Sequence, residues 1–280
     1  LSPRLTRSLS NIIHHKTKGN PLFVSRLLLS LSKEGLLRPS LSLRRWEWDK
    51  EKIQCQTLPD DVAIFLTNLI RVLPEDVKSS LFVLSCFGAS ADRAFIKTLE
   101  SALEKKLLDN LDLAGSEGLL DKSYDQYRFS HDRIQEAAYT MMDVPVRRLT
   151  HFNHGMALAP LADGEDDESN LLLLTAANQL NLAGPEAVQD RSQNVIAATL
   201  NLRAGKKAME MSDFEAAHSY FDCGISFLRD FYCGISLLQE NHWDEHYDLS
   251  LVLFDLAAEC ALVNGDLVSL NVLSKQVLKY

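Results

Sequence analysis

The dipeptide His131-Asp132 is the pair of neighbouring side chains best suited to chemistry in this 280-residue sequence. It follows a strand-like segment and begins a helix whose apolar face holds Ile134, Ala137 and Ala138. Imidazole changes its charge near neutral pH, and it can donate a hydrogen bond to a phosphate oxygen and respond to its loss. The alternative is a structural role, in which Asp132 caps the helix and His131 lies between domains with its hydrogen bonds made.

A second segment of interest is Gly19-Asn20-Pro21-Leu22-Phe23. Asn20 is suited to cap a helix, Pro21 to occupy its first turn and Gly35 to end it. Leucines recur at helical spacing between these positions. The sequence therefore predicts a helix over residues 21–34.

Basic side chains surround this helix, at Lys16, Lys18 and Arg26. Their positive charge would attract an anion such as a phosphate. However, a basic face on a surface helix is usually only solvated. We therefore expect these three side chains to lie in water.

Several classes of enzyme are excluded by motifs that the sequence lacks. There is no Gly-x-x-x-x-Gly-Lys-Ser/Thr loop to hold nucleotide phosphates, and no apolar strand that ends in paired carboxylates to hold a metal ion. Neither a Gly-x-Ser-x-Gly segment nor a Cys-His signature for nucleophilic catalysis is present. By itself the chain is not expected to hydrolyse ATP, and we predict no catalytic residue in it.

The cysteines lack Cys-x-x-Cys spacing, so we predict no metal site. Their odd number on apolar segments is typical of reduced thiols in a cytoplasmic protein. No apolar run approaches the ~20 residues that a membrane span needs, and the first 20 residues lack the apolar core of a signal peptide, so we expect no membrane partner. Because the sequence begins with Leu1 rather than methionine, we expect a piece of a longer protein. The cysteines are Cys55, Cys86, Cys223, Cys233 and Cys260.

Charge is unevenly distributed along the chain. Residues 1–54 carry 11 Lys and Arg against 4 Asp and Glu, residues 55–143 carry 9 against 15, and residues 144–280 carry 9 against 19. The net charges are +7, −6 and −10, which add to the total of −9. Because the two acidic regions repel polyanions, we expect no nucleic acid as a partner.

The spacing of apolar residues predicts a mainly α-helical protein with three domains. Residues 1–54 hold a helix and a short hairpin, in which Trp46 and Trp48 share one face as packing residues. Residues 55–143 hold helices followed by two short strands, which is the arrangement of a winged-helix domain with a small β-hairpin. Residues 144–280 are helical, and their small and large apolar residues match the pattern of tetratricopeptide repeats.

Two further features lie in this helical region. The segment that begins at Phe221 is echoed ten residues later at Phe231, a spacing too short for a repeat of helical hairpins, so we interpret it as a local duplication. Arg203, Lys206 and Lys207 lie at helical spacing, and we expect them to pair with the acidic C-terminal surface.

Three segments of the sequence, at residues 18–24, 129–139 and 200–208, occur in a characteristic order. Together they resemble the ATPase module of STAND signal-transduction ATPases, relatives of the AAA family, as found in large sensor kinases such as hybrid histidine kinases. The resemblance covers nearly the whole chain. It implies that residues 1–54 are a fragment of the ATPase lid, followed by the winged helix and a tetratricopeptide-like arm. The segments are Lys18-Gly19-Asn20-Pro21-Leu22-Phe23-Val24, Phe129-Ser130-His131-Asp132-Arg133-Ile134-Gln135-Glu136-Ala137-Ala138-Tyr139 and Leu200-Asn201-Leu202-Arg203-Ala204-Gly205-Lys206-Lys207-Ala208.

The same resemblance implies where a nucleotide would bind. Gly19, Asn20 and Pro21 would lie near the adenine, while His131 and Asp132 would lie near the phosphates of ADP and help to hold the resting state. ATP or ADP would bind only in the full-length parent, because the phosphate-binding loop of this family lies upstream of the lid.

Three functions are compatible with these observations. In the first, the chain couples nucleotide state, and a protein partner or small inducer on the helical arm, to an attached kinase or other signalling domain. In the second, it is a helical-repeat scaffold without ATPase activity. The third is a winged-helix transcription regulator, which is disfavoured because its recognition helix offers only Arg93 and Lys97 in a region of net charge −6.

Overall fold

A computed structural model describes residues 3–40, 45–55, 62–188, 190–233 and 242–280 of the protein. The protein is mainly α-helical with two small β-sheets, which confirms the predicted fold class. Its contacts divide the chain into two compact units. Unit 1 combines Leu1–Ala91 with Asn110–Met141, and unit 2 combines Asp92–Asp109 with Met142–Tyr280. The domain boundaries after residues 54 and 143 remain predictions.

The first half of the chain alternates short helices with short strands. Its elements are α1 (Pro3–Thr17), α2 (Pro21–Lys33), β1 (Leu37–Ser40), β2 (Arg45–Trp48), α3 (Lys50–Cys55), α4 (Val62–Arg71), α5 (Glu75–Ser85), β3 (Ser90–Asp92), α6 (Arg93–Leu103), α7 (Leu108–Ser116), β4 (Leu120–Lys122), β5 (Gln126–Phe129) and α8 (Asp132–Thr140). Helix α1 and strand β3 are not predicted from the sequence.

The second half is helical throughout its described residues. Its elements are α9 (Val144–Leu158), a 3₁₀ turn (Ala159–Ala162), α10 (Asp167–Ala183), a second 3₁₀ turn (Pro185–Ala187), α11 (Arg191–Glu210), α12 (Phe214–Cys233), α13 (His242–Glu245), α14 (Tyr247–Val263) and α15 (Leu267–Lys279). From Gly234 onward, the second copy of the duplicated segment lies outside the described residues.

The predicted hairpin after α2 is present. Strands β1 and β2 are antiparallel, with Leu37 opposite Trp48 and Pro39 opposite Trp46. Trp48 packs against a buried cluster that unites α1, α2, β1 and α3, as expected for a packing residue. Trp46 is 40% exposed, so it fits the expectation of a packing residue less well than Trp48 does. The cluster consists of Leu9, Ile12, Ile13, Leu27, Leu31, Leu37 and Ile53.

The second sheet has three strands, with β5 between β3 and β4. Strands β4 and β5 are antiparallel, with Leu120 opposite Phe129. Helix α8 follows β5 and packs on α4 and α5 through the buried side chains of Ile134 and Ala138. This order of helices, a strand and a terminal hairpin fits a winged helix, which remains a prediction.

In unit 2, consecutive helices pack against each other: α9 with α10, α11 with α12, and α14 with α15. The close approach of α11 and α12 depends on Gly205, since a Cβ atom there would lie 2.3 Å from the ring of Phe221. Helix α10 is joined to α11 by a reciprocal pair of amide hydrogen bonds between Asn181 and Asn201, of 2.8 and 2.9 Å. The identity of these helices as tetratricopeptide repeats remains a prediction.

Two buried histidines lie in the contact between α9 and α10. Nδ1 of His151 is 2.8 Å from Oε1 of Gln179. Burial is the main cause that lowers the pKa of both imidazoles; together with the nearby charges of His151 and Lys105 it lowers that of His154 to about 4. The packing of this unit therefore favours neutral imidazoles.

We expect acid to destabilise unit 2. An unfolded chain takes up a proton on His154 at the ordinary pKa of 6.5, whereas the folded chain does so only at about 4. The free energy of unfolding should therefore fall as the pH drops from 6.5 to 4, by up to ~3 kcal/mol from this residue. Urea denaturation followed by circular dichroism over this pH range measures the loss.

Replacement His154→Leu should reduce this pH dependence, while His151 retains its own share. The matched control is His15→Leu, which changes an exposed imidazole in unit 1 and should leave the dependence intact. An equal pH dependence in His154→Leu and the unaltered chain would contradict the assignment.

Candidate functional site

The start of α2 has the geometry that the sequence predicts. Oδ1 of Asn20 accepts a hydrogen bond from the backbone N–H of Phe23 at 3.3 Å, so Asn20 caps the helix. Lys18 and Gly19 before it both have positive φ angles, of 51° and 78°. Only glycine adopts this conformation without a steric penalty, so Gly19 sets the sharp entry of the chain into α2.

Phe23 fixes the same turn of α2 against the rest of unit 1. Its ring is 5% exposed and meets the ring of Phe65 on α4 edge to face, with centroids 5.0 Å apart. Aromatic pairs prefer this geometry over direct face-to-face stacking. The segment that contains Asn20 and Pro21 is therefore held at a defined place on α4.

Arg26 provides the strongest polar link of α2 to the β4–β5 hairpin. The side chain is 6% exposed, and its guanidinium donates hydrogen bonds to the backbone oxygens of Glu117, at 3.1 Å, and of Gly118. It also donates to Oγ of Ser130, at 2.7 Å. The expectation that Arg26 is solvated is therefore wrong, because these acceptors offset the loss of water around its charge.

The acceptors of Arg26 are well placed to receive a positive charge. Glu117 and Gly118 follow the last residue of α7, where helix carbonyl oxygens lack intrahelical partners and the helix dipole is negative. Burial lowers the pKa of Arg26, and the charge of Asp121 opposes this shift. An arginine nevertheless stays protonated in such a site.

Gly118 is required at this contact for two separate reasons. Its φ angle is +72°, a conformation that residues with a Cβ atom rarely adopt. A Cβ atom at this position would also lie 2.8 Å from Nη1 of Arg26. The turn between α7 and β4 and the Arg26 side chain therefore fit each other only with glycine at residue 118.

His131 and Asp132 lie directly after Ser130, at the start of α8. His131 is the N-cap residue: its Nδ1 accepts a hydrogen bond from the backbone N–H of Arg133 at 3.1 Å. The capping role considered for Asp132 thus belongs to His131, and Asp132 occupies the first turn, where the helix dipole favours its charge. Both side chains are exposed. Because Nδ1 accepts a bond, Nε2 is the nitrogen that carries the proton in a neutral ring.

The described contacts connect the two predicted segments through Arg26 rather than directly. Asn20 and Pro21 begin the helix that carries Arg26, and Arg26 binds Ser130, the residue before His131. Lys33, near the end of the same helix, adds an ion pair with Glu117. Helix α2 is thus fastened along its length to the end of α7 and to the turn that presents His131.

The fold and site define a mainly helical protein in which a capped helix is bound to the base of a β-hairpin. The chain is similar to a hybrid signal transduction histidine kinase G of Dictyostelium discoideum, with 25% identity over 312 aligned positions. The match includes 92% of this chain but only 9% of that kinase. No model of a known protein family and no solved structure matches the chain.

Replacement Arg26→Lys should destabilise unit 1. Lysine keeps the charge, but a single ammonium group cannot reach all three acceptors with the geometry of the planar guanidinium. We expect the free energy of unfolding to fall by ~2 kcal/mol, measured by urea denaturation. The control is Arg71→Lys, which changes an exposed arginine of α4 that bonds to Asn68. Equal stability of the two variants would contradict the role given to Arg26.

A pair of glycine variants separates the two demands on residue 118. Gly35→Ala meets only the conformational demand, because Gly35 has a φ of +71° and no atom within 4 Å of the added Cβ. Gly118→Ala meets that demand and also the clash with Arg26. We therefore expect Gly118→Ala to lower the melting temperature more than Gly35→Ala in a thermal unfolding experiment. If the two variants have the same melting temperature, the close contact between Gly118 and Arg26 does not contribute to stability.

Proposed function

We propose that this chain is the regulatory part of a STAND-type signal-transduction ATPase, which couples the state of a bound nucleotide to an attached kinase or other signalling domain. The observation that carries the proposal is the Arg26 contact. It joins helix α2, which follows Gly19 and Asn20 and begins at Pro21, to the turn that ends with His131. The two segments that resemble nucleotide-binding motifs are thereby parts of one mechanical connection.

The exposure of His131 supports its proposed role at the phosphates of ADP. Its Nδ1 is used as the cap of α8, so the protonated Nε2 is the atom that would donate to a phosphate oxygen. Loss of the phosphate contact would release the turn at Ser130, and Arg26 would pass this change to α2.

The remaining parts of the proposal follow from the partial match to the Dictyostelium kinase. That match suggests a role in signal transduction. Nucleotide would bind in a longer parent that supplies the phosphate-binding loop. The helices of unit 2 would form the arm that receives a protein partner or small inducer. The cytoplasm is the proposed location, and it agrees with Cys223 and Cys260, which form no disulfide. None of the described helices is long and apolar enough to cross a membrane.

The gene itself provides the first test. Sequencing the transcript upstream of the codon for Leu1 should reveal a phosphate-binding loop, Gly-x-x-x-x-Gly-Lys-Ser/Thr, and a strand that ends in acidic residues. An initiator codon directly before Leu1 would overturn the ATPase proposal. It would leave the helical interaction scaffold as the function.

In the full-length gene product, His131→Ala should weaken the binding of ADP by tenfold or more, because a donor to the phosphate is lost. Isothermal titration calorimetry measures the affinity. Arg26→Lys should weaken it less, since it moves His131 without removing it. His15→Ala, which alters an exposed imidazole on α1, should leave the affinity for ADP unchanged. Identical affinities of the His131 and His15 variants would refute a role for His131 in holding ADP.

A further inference from the structure

Two adjoining cavities in unit 2 meet at a single ion pair. The first, of about 340 Å³, lies between α11 and the segment formed by the end of α9 and the following 3₁₀ turn. The second, of about 780 Å³, lies between the start of α10 and the second half of α11. Arg203 and Asp163 line both cavities. The volume of the first cavity is within the range of sites that hold small organic ligands.

The two cavities differ in chemistry. The walls of the first are mostly apolar, with Thr199 and the ion pair as the polar part, and Ile196 on its α11 side remains 39% exposed. The second is lined mainly by charged and amide side chains. A ligand that fills both needs an apolar part and a polar head. The apolar wall is formed by Met156, Ala159, Pro160, Val195, Ile196 and Leu200.

The members of the shared ion pair are unequally fixed. The guanidinium of Arg203 donates to Oδ1 of Asp163 at 2.9 Å and also to the backbone oxygen of Ala162. The Arg203 side chain is 32% exposed, whereas that of Asp163 is 79% exposed. Arg203 is therefore the anchored partner, and the Asp163 carboxylate is the one that another anion can replace at low cost.

Charge limits the head group to a single negative charge. Lys206 adds a positive charge to the second cavity, while Lys207 is paired with Glu210 at 2.9 Å. Glu165 and Glu210 also line this cavity and would repel a group with several negative charges. A polyphosphate is thus disfavoured, whereas a planar carboxylate matches the guanidinium fork.

We propose that this double cavity binds a small amphipathic monocarboxylate. Its apolar chain lies along α11 in the first cavity, and its carboxylate replaces that of Asp163 on Arg203. The site specifies which ligand the proposed arm of unit 2 would receive. Its importance for signalling rests on the proposed function. Binding itself requires the fold of unit 2 and no nucleotide.

Octanoate is the probe for this site, titrated into the chain by isothermal calorimetry below its micelle concentration. We expect saturable binding with one site. Arg203→Gln should weaken the affinity at least tenfold, because the charged fork is lost. Asp163→Asn should strengthen it severalfold, because the competing carboxylate is removed. Octylamine, with the same apolar chain and the opposite charge, should bind at least tenfold more weakly than octanoate.

The matched control is Arg148→Gln, which removes an arginine that pairs with Glu186 in the same unit. It should leave octanoate binding unchanged. Equal binding of octanoate and octylamine, or equal affinities in Arg203→Gln and Arg148→Gln, overturns the proposal. If Arg203→Gln does not fold by circular dichroism, Asp163→Asn decides, because an unchanged or weaker affinity there refutes the exchange on Arg203. Failure of this assay leaves the upstream loop and ADP binding to be judged on their own.

Discussion

A positive charge removed from water at Arg26 is the constraint on which the arrangement of unit 1 depends. Such a charge is tolerated only where nearby acceptors replace the lost hydration. Two of its three acceptors here are backbone oxygens just past the end of α7, where helix carbonyls lack intrahelical partners; that of Gly118 also accepts a hydrogen bond from Ser130. The contact therefore resolves two deficits at once, and it does so only when α2, the turn at Gly118 and Ser130 occupy one relative placement.

Unit 2 is organised by a different principle, the close packing of helices through small side chains. Buried alanines recur along α10 and α11, and Gly205 lets α12 approach until the ring of Phe221 covers the α11 backbone. The amide pair of Asn181 and Asn201 sets the register between α10 and α11, because each amide satisfies the other in a partly buried setting. The grooves that remain beside these tight contacts are the places where a ligand can enter.

Features that depend on neighbouring residues could be predicted from the sequence. The cap at Asn20, the helix that follows it and the hairpin of β1 and β2 follow from capping residues and apolar spacing, and all three are present. The expectation that Arg203, Lys206 and Lys207 pair with the acidic C-terminal surface is met only in kind: Arg203 pairs with Asp163 in the loop before α10, and Lys207 pairs with Glu210 on its own helix. These features could be predicted because each depends either on residues close together in the sequence or on the attraction between opposite charges.

Features that depend on distant backbone atoms could not be predicted. The acceptors of Arg26 lie 91 to 104 residues away, and the two carbonyl oxygens among them have no signature in the sequence. A helical face with basic residues therefore indicated solvent, not burial. Gly118 was equally hidden, since nothing in its neighbours announces a positive φ. Strand β3 is only three residues long, and its pairing with β5 rather than its own sequence makes it a strand.

The position of the Arg26 contact has a consequence for how displacement is transmitted. Gly118 precedes β4 and Ser130 follows β5, so Arg26 forms hydrogen bonds with both sides of the hairpin at the same end. A shift of α2 along its axis would move both strands together and would not strain the hydrogen bonds between them. The hairpin would then turn as one rigid piece about the end that Arg26 holds. The largest excursion falls at its tip, where the ring of Tyr124 is 98% exposed.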